Sequence, residues 1–301
     1  MSDKATFRVY FNNHLHSLLQ QLERERKWLL ALLGIAILAF GGALWIIYDM
    51  GIPALTLFIA LVFVAIGTLL MYRLRVFKNR FKPRVLPVIL GFIDPEFKYY
   101  SGEYIAWDTV KRSGLIGVTP QIYRGEDYIK GQIGEVLFEM CELDVRHPSN
   151  VLNRMDELFR GIFLHATFEY NFKGRIFVLP REDVQNQSRT IKAITKTGGT
   201  HIRTLGEEFD KYFIAYADKD TGWQHLLTPA MIAGFIRHRK RTKKRLWVAF
   251  VTGHFYAGVE QPYDLLEPNI FSSNVDFELA WEYLQDLQIM TNFVRDFDVA
   301  H

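Results

Sequence analysis

Cysteine is almost missing from this chain. Cys141 stands alone among 301 residues, so no intramolecular disulfide can form, which suits a reducing compartment. The named catalytic patterns are missing too. There is no Gly-x-Ser-x-Gly elbow, no GxxxxGK[ST] phosphate loop, no His-Glu-x-x-His and no cysteine pair for zinc. Charge is absent from two stretches of 21 residues, 28–48 and 52–72. That excludes a proton relay or voltage sensor built inside them, since both need ionisable groups at membrane depth. The loop between them, "DMG", holds no Lys or Arg.

The two apolar runs are the strongest positive signal. Each reaches about 30 Å as a helix, the thickness of a bilayer's hydrocarbon core. Backbone groups find no water there and must bond internally. Trp28, Trp45, Tyr48 and Tyr72 fall at or near the ends, where amphipathic rings favour the interface. A first run preceded by 27 residues and followed at once by a second is no signal peptide. The short loop dictates an antiparallel helical hairpin with both chain ends on one side. Arg24, Arg26 and Lys27 precede the hairpin, and Arg73, Arg75, Lys78, Arg80, Lys82 and Arg84 follow it. The excess of cations on the flanks predicts that both termini and the large domain are cytoplasmic. Ala39 and Ala43 have the small-xxx-small spacing that permits helix association, and so a homo-oligomer.

These features divide the chain into an amphipathic helix over 1–27, a transmembrane hairpin over 28–72, a basic juxtamembrane linker over 73–92 and a soluble domain over 93–301. Phe7, Phe11, Leu15, Leu18 and Leu22 recur at helical spacing in the first segment. They can face the inner leaflet, the soluble domain or a second copy of the helix.

The soluble domain reads as α+β. "VLFEMCELDV" alternates like a strand, and Cys141 within it reads as a buried small hydrophobe. "FRGIFLHATFEY" and "RIFVLP" flank the turn "NFKG" and read as a hairpin. "RLWVAFV" and "HFYAGVE" form a second hairpin around "TGH". Thr228 and Pro229 open a helix as N-cap and first residue, and a closing helix is expected from about Val275 to Arg295.

The order "DTVKRSGLIGVTPQIYRGEDYIKGQIGEVLFEMCELDV", "FRGIFLHATFEYNFKGRIFVLP" and "EFDKYFIAYADKD…LLTPAMI" after two spans resembles the bacterial family known as domain of unknown function 3137. The resemblance covers roughly residues 95–272 and the hairpin anchor. It implies an integral protein of the bacterial inner membrane with a cytoplasmic α+β domain, and a partner of the LemA type. It carries over no catalytic residue.

Candidate sites are few. Residues 237–245, "RHRKRTKKR", hold seven cations: Arg237, Arg239, Lys240, Arg241, Lys243, Lys244 and Arg245. A helix C-terminus favours some of them through its dipole. The rest, with Arg73 to Arg84, are candidates to contact anionic lipid or an acidic partner. Nucleic acid is not expected, because residues 85–301 carry a net charge of −4. His165, in mid-strand, and His201 are polar candidates beside Asp218 and Asp220 of "YADKDTGW". For each the ordinary reading competes: a hydrogen-bonded half-buried histidine, or an acid that shapes a turn. "TKTGGTHIRT" reads as a flexible loop before a phosphate cradle. No metal site and no cofactor is expected.

The resulting expectation is a membrane-anchored interaction or scaffold protein that meets the lipid bilayer and a protein partner or a second copy of itself. A subunit of a transport or envelope complex and a membrane-tethered enzyme are the alternatives.

Overall fold

The computed structural model describes residues 3–51, 54–149, 154–168, 172–183, 188–203, 205–219, 221–261 and 267–298. The chain divides into two compact units, Met1–Phe92 with Leu266–Tyr283 and Ile93–Leu265 with Leu284–His301.

In the first unit, α1 (Lys4–Tyr10) runs through a π turn (Phe11–Leu15) into α2 (His16–Met50). The apolar stripe is buried at Phe7, Phe11, Leu15 and Leu22, but Leu19 replaces Leu18 in it. Residues four apart drift around an α-helix, and the wider π turn absorbs that drift, keeping 7, 11, 15 and 19 on one face. Phe7 packs on Phe92, Phe277 and Trp281, with ring centroids 5.0, 5.8 and 5.7 Å away. The stripe is therefore satisfied inside this unit. One turn before the first apolar run, Glu23 and Arg26 form a buried two-pronged pair (2.9 and 2.5 Å), and Arg26 also donates to the Ile270 carbonyl at 2.6 Å. Buried charges must be matched in this way, since removing one partner strands the other at a cost of about 3–5 kcal/mol.

Gly51 ends α2 in the left-handed conformation, φ 63°, which spares a side chain the strain. Then α3 (Ala54–Ile93) runs unbroken through the stretch expected to be a linker. Leu74, Phe77, Phe81, Val85, Ile89 and their neighbours are buried at helical spacing, so this stretch has an apolar face of its own. Pro83 and Pro87 lie within the helix despite lacking an N–H to donate. Phe40 of α2 meets Phe63 of α3 at 4.8 Å, so the two apolar runs touch as an antiparallel pair. Both helices are long and apolar enough to cross a membrane, and their large side chains (Leu38, Trp45, Leu57, Phe58) lie exposed. Together they fit a membrane protein.

The second unit is built on one antiparallel sheet. Its strands are β1 (Lys98–Tyr100), β2 (Ile122–Ile133), β3 (Val136–Pro148), β4 (Met155–Thr167), β5 (Arg175–Pro180), β6 (Thr200–Ile202), β7 (Phe213–Ala217), β8 (Leu246–Val251) and β9 (His254–Glu260). They lie in the order β1-β2-β3-β4-β9-β8-β5-β7-β6. With its helices, this is the α+β fold expected from sequence. The β8–β9 hairpin forms as read, turning through Thr252 and Gly253, both at positive φ as a two-residue hairpin requires. The hairpin expected between "FRGIFLHATFEY" and "RIFVLP" does not form. β8 and β9 stand between β4 and β5, so β4 pairs with β3 and β9, and β5 with β7 and β8. Asn171 of the expected turn lies outside the described residues.

Helices α4 (Trp107–Ser113) and α5 (Ser188–Lys196) lay Val110 and Ile194 against one sheet face, where Cys141, Leu143, Phe163, Phe177, Trp247 and Tyr256 are buried. Each such aromatic contributes about 1.5–3 kcal/mol by leaving water. Between strands lie the single turns α6 (Glu207–Asp210) and α7 (Trp223–Leu226). On the other face, Phe213 of β7 meets Phe235 of α8 (Pro229–Thr242), which meets Phe293 of α9 (Phe277–Asp298).

Candidate functional site

The sheet places four polar side chains in a chain across β2, β3, β4 and β9. Glu139 stands opposite His165, and His165 opposite Tyr256. The Tyr128 hydroxyl donates to Glu139 Oε2 at 2.7 Å, and Glu139 Oε1 accepts from His165 Nδ1 at 2.8 Å. His165 Nε2 then lies 3.1 Å from His254 Nδ1, with Thr167 Oγ1 3.4 Å from the same nitrogen. Tyr256 stacks on His165 at 4.9 Å. A carboxylate that accepts a hydrogen bond from Nδ1–H fixes the tautomer, leaving Nε2 of His165 as an acceptor toward His254. Burial raises the Glu139 carboxyl, but hydrogen bonds from His165 and Tyr128 outweigh it and hold its pKa below the usual value. Burial, helped by its bond to Glu139, pushes the Tyr128 phenol up, while burial and the nearby His165 push His254 down. Glu139, His165 and Thr167 line one cavity with Tyr128, Lys98, Lys130 and Phe97. A carboxylate-oriented imidazole at a cavity wall is equipped to hold and pass a proton.

The partners of His165 escape sequence reading because they lie on other strands, 26 and 89 positions away. The remaining polar candidates do not join it. His201 sits largely exposed on the edge strand β6, where partial desolvation and then the charge of Arg203 lower its pKa. Asp218 is held by Arg175 through two bonds of 2.8 and 2.9 Å, and its carbonyl accepts from the Thr221 hydroxyl, so it shapes the turn after β7. Asp220 lies outside the described residues. Gly198 and Gly199 close the C-terminus of α5, with the Gly199 N–H bonded to the Ile194 carbonyl, so this N–H is not free to hold a phosphate. Cys141 is buried, its sulfur accepting from the Ile105 N–H, and burial pushes its thiol pKa well up.

The basic run is largely matched by acids. Thr228 caps α8 by accepting from the Met231 N–H, and Lys243 ends it in the left-handed conformation. Arg239 pairs with Glu182, Lys240 with Glu208, Lys244 with Asp286 and Arg245 with Glu260. Arg237, Arg241 and Lys243 are exposed. A groove of about 840 Å³ runs beside them, lined by Trp223, Leu227, Ile232 and Ile236 together with Arg237, Arg241 and the Lys240–Glu208 pair. Among the juxtamembrane cations, Arg73, Arg75 and Arg80 are exposed. Lys78 and the buried Lys82 approach Glu267 (3.6 and 3.8 Å), and Arg84 approaches Glu25 at 3.6 Å.

Residues that could hold a metal also come together. Glu126, Asp127 and Glu142 have carboxylate oxygens within 4.8 Å of one another. Gly125, Glu126 and Asp127 lie inside β2, at a bulge.

Residues 157–299 match the model of a family described as "Protein of unknown function (DUF3137)". That segment runs from within β4 to the end of α9 and leaves the motifs at 108–145 before its start. A crystal structure of the mycobacterial trehalose monomycolate transport factor A, TtfA, is similar at 8% identity, covering 64% of this chain and 86% of that one, with a TM-score of 0.31. No curated protein matches the chain.

Proposed function

We propose, from the premise that the chain belongs over residues 157–299 to the DUF3137 family and carries two helices fit to cross a bilayer, that it is a membrane-anchored interaction protein. The apolar helices hold it in the bacterial inner membrane, with both ends and the sheet unit in the cytoplasm. The groove beside α8 receives an acidic, amphipathic segment of a partner, another membrane protein such as one of the LemA type. The groove carries this reading. Its apolar lining removes a hydrophobic face from water, and Arg237 and Arg241 in that lining favour acids by charge. The asymmetry of cations between the flanks and the "DMG" loop supports the orientation. Ion pairing weakens the competing idea that the whole run 237–245 is a lipid pad, because at least four of its seven cations already have carboxylate partners.

A photoreactive residue at Ala233, in the groove wall, tests this on the full chain in native membranes. The expected product is one protein adduct, mapped by mass spectrometry to an acidic amphipathic stretch and lost when Arg237 and Arg241 are changed to Glu. Adducts with lipid alone, or none, contradict the reading. A partner with many spans would place the chain in a transport or envelope complex.

A further inference from the structure

The histidine pair of the sheet carries an inference separate from the groove. His165 of β4 stands opposite Tyr256 of β9, and Thr167 opposite His254, so the two histidines are diagonal neighbours on one sheet face. Side chains in that relation are close enough to meet. Their ring centroids lie 5.1 Å apart, with His165 Nε2 3.1 Å from His254 Nδ1. The Thr167 hydroxyl stands 3.4 Å from the same His254 nitrogen. Two nitrogens about 2.0–2.1 Å from a tetrahedral Zn²⁺ are about 3.3 Å apart, so these rings are already spaced as its ligands. In the metal-free chain one ring donates to the other. A shift of the His254 proton to Nε2 frees both facing lone pairs with no change of charge.

The support behind the pair is that of a metal ligand. Imidazoles that bind a metal donate their second N–H to a carboxylate as a rule, which fixes the ring and raises its basicity. His165 donates Nδ1–H to Glu139 Oε1 at 2.8 Å, and the Tyr128 hydroxyl holds Glu139 through its other oxygen at 2.7 Å. Tyr256 stacks on the same ring, 16° from parallel. Nε2 of His165 is thus aimed at one place, beside His254, which follows directly on the tight turn at Thr252 and Gly253. His165 and Thr167 also line a cavity of about 660 Å³, which gives an ion a way in. Two neutral imidazoles leave a bound ion in need of a water or an anion. Lys98 and Lys130, opposite each other across β1 and β2, line the same cavity and favour an anion there.

We propose that His165 Nε2 and His254 Nδ1 bind one Zn²⁺ ion where the end of β4 meets the start of β9, with the Thr167 hydroxyl beside it. Glu139 is the positioning residue, and a water or an anion from the cavity completes the coordination. Imidazole nitrogens select Zn²⁺ or Ni²⁺ over Ca²⁺ and Mg²⁺, which take oxygen ligands. The ion would tie β4 to the β8–β9 hairpin and hold a polarised oxygen at the cavity wall.

The full chain in detergent, stripped with chelator, is titrated with ZnCl₂ by calorimetry, with NiCl₂ and CaCl₂ as separate arms. One saturable equivalent of Zn²⁺ is expected, with Tm raised at saturation. That equivalent should be lost in His165→Gln and in His254→Gln, and Glu139→Gln should weaken it about tenfold to a hundredfold. His254 is partly exposed, so its variant keeps the fold and carries the test should the buried His165 not tolerate change. Tm in chelator checks the fold of each variant. No binding of Zn²⁺ or Ni²⁺ at millimolar concentration overturns the proposal. So does a Zn²⁺ equivalent that His254→Gln retains unchanged, since the ion would then lie on other side chains. Ca²⁺ bound as tightly as Zn²⁺ also overturns it, because imidazole would not be the ligand.

Discussion

His238 lies 4% exposed in α8, its Nδ1 buried without a hydrogen-bond partner. Burial first, then the charges of Arg241, Lys244 and Arg239, lower its pKa to about 4. The unfolded chain binds the proton near pH 6.5, so folding expels it between those values. Stability from this residue is intact above pH 6.5 and falls as pH drops from 6.5 to 4, by about 3 kcal/mol in all. His238→Gln should flatten that part of the profile, read as urea midpoints at pH 7 and pH 5. An unchanged slope would mean that the imidazole is protonated in the folded chain. The same residue shows why cations crowd this helix end at little cost: the histidine among them stays neutral, and acids from elsewhere in the unit meet at least four of the others.

At the scale of elements, α8 owes its start to Thr228 and Pro229. The hydroxyl satisfies the Met231 N–H, and proline gives up an N–H that the first turn cannot use. Thr228→Ala should cost about 1 kcal/mol, seen as a lower Tm, and Thr228→Ser should restore most of it. This cap, the β8–β9 turn and the closing helix were legible because each is written in contiguous residues. The β4–β5 pairing was misread because adjacency in sequence is only a prior, and the later β8–β9 hairpin inserts between those strands. The helical continuation through 73–92 was obscured by its cations and two prolines, although Phe77, Phe81, Val85 and Ile89 kept a helical face. The site followed the same logic. His165 was visible as a polar residue in an apolar strand, but Glu139 and His254 reach it only through sheet register. Glu126 and Glu142 face each other for the same reason, across a pairing that no local pattern announces.

For the whole molecule, the proposal to be tested is that α2 and α3, both long and apolar enough to do so, cross a bilayer as a hairpin with the chain's two ends on one side. Inside a packed protein, side chains such as Leu38 and Trp45 would be buried, yet they are 77% and 71% exposed. Lipid is the solvent that makes such a surface favourable. The buried Glu23–Arg26 pair and the salt bridges of Lys78 and Lys82 mark where this apolar surface gives way to polar packing. Cysteine labelling tests the claim most directly, because the native Cys141 is buried. Asp49→Cys, exposed at the end of α2, and Ser272→Cys, exposed before α9, are treated in intact cells with a membrane-impermeant maleimide. The account predicts that position 49 is labelled at once and position 272 only after the membrane is permeabilised. Labelling of position 272 in intact cells, or equal labelling of both, would contradict it.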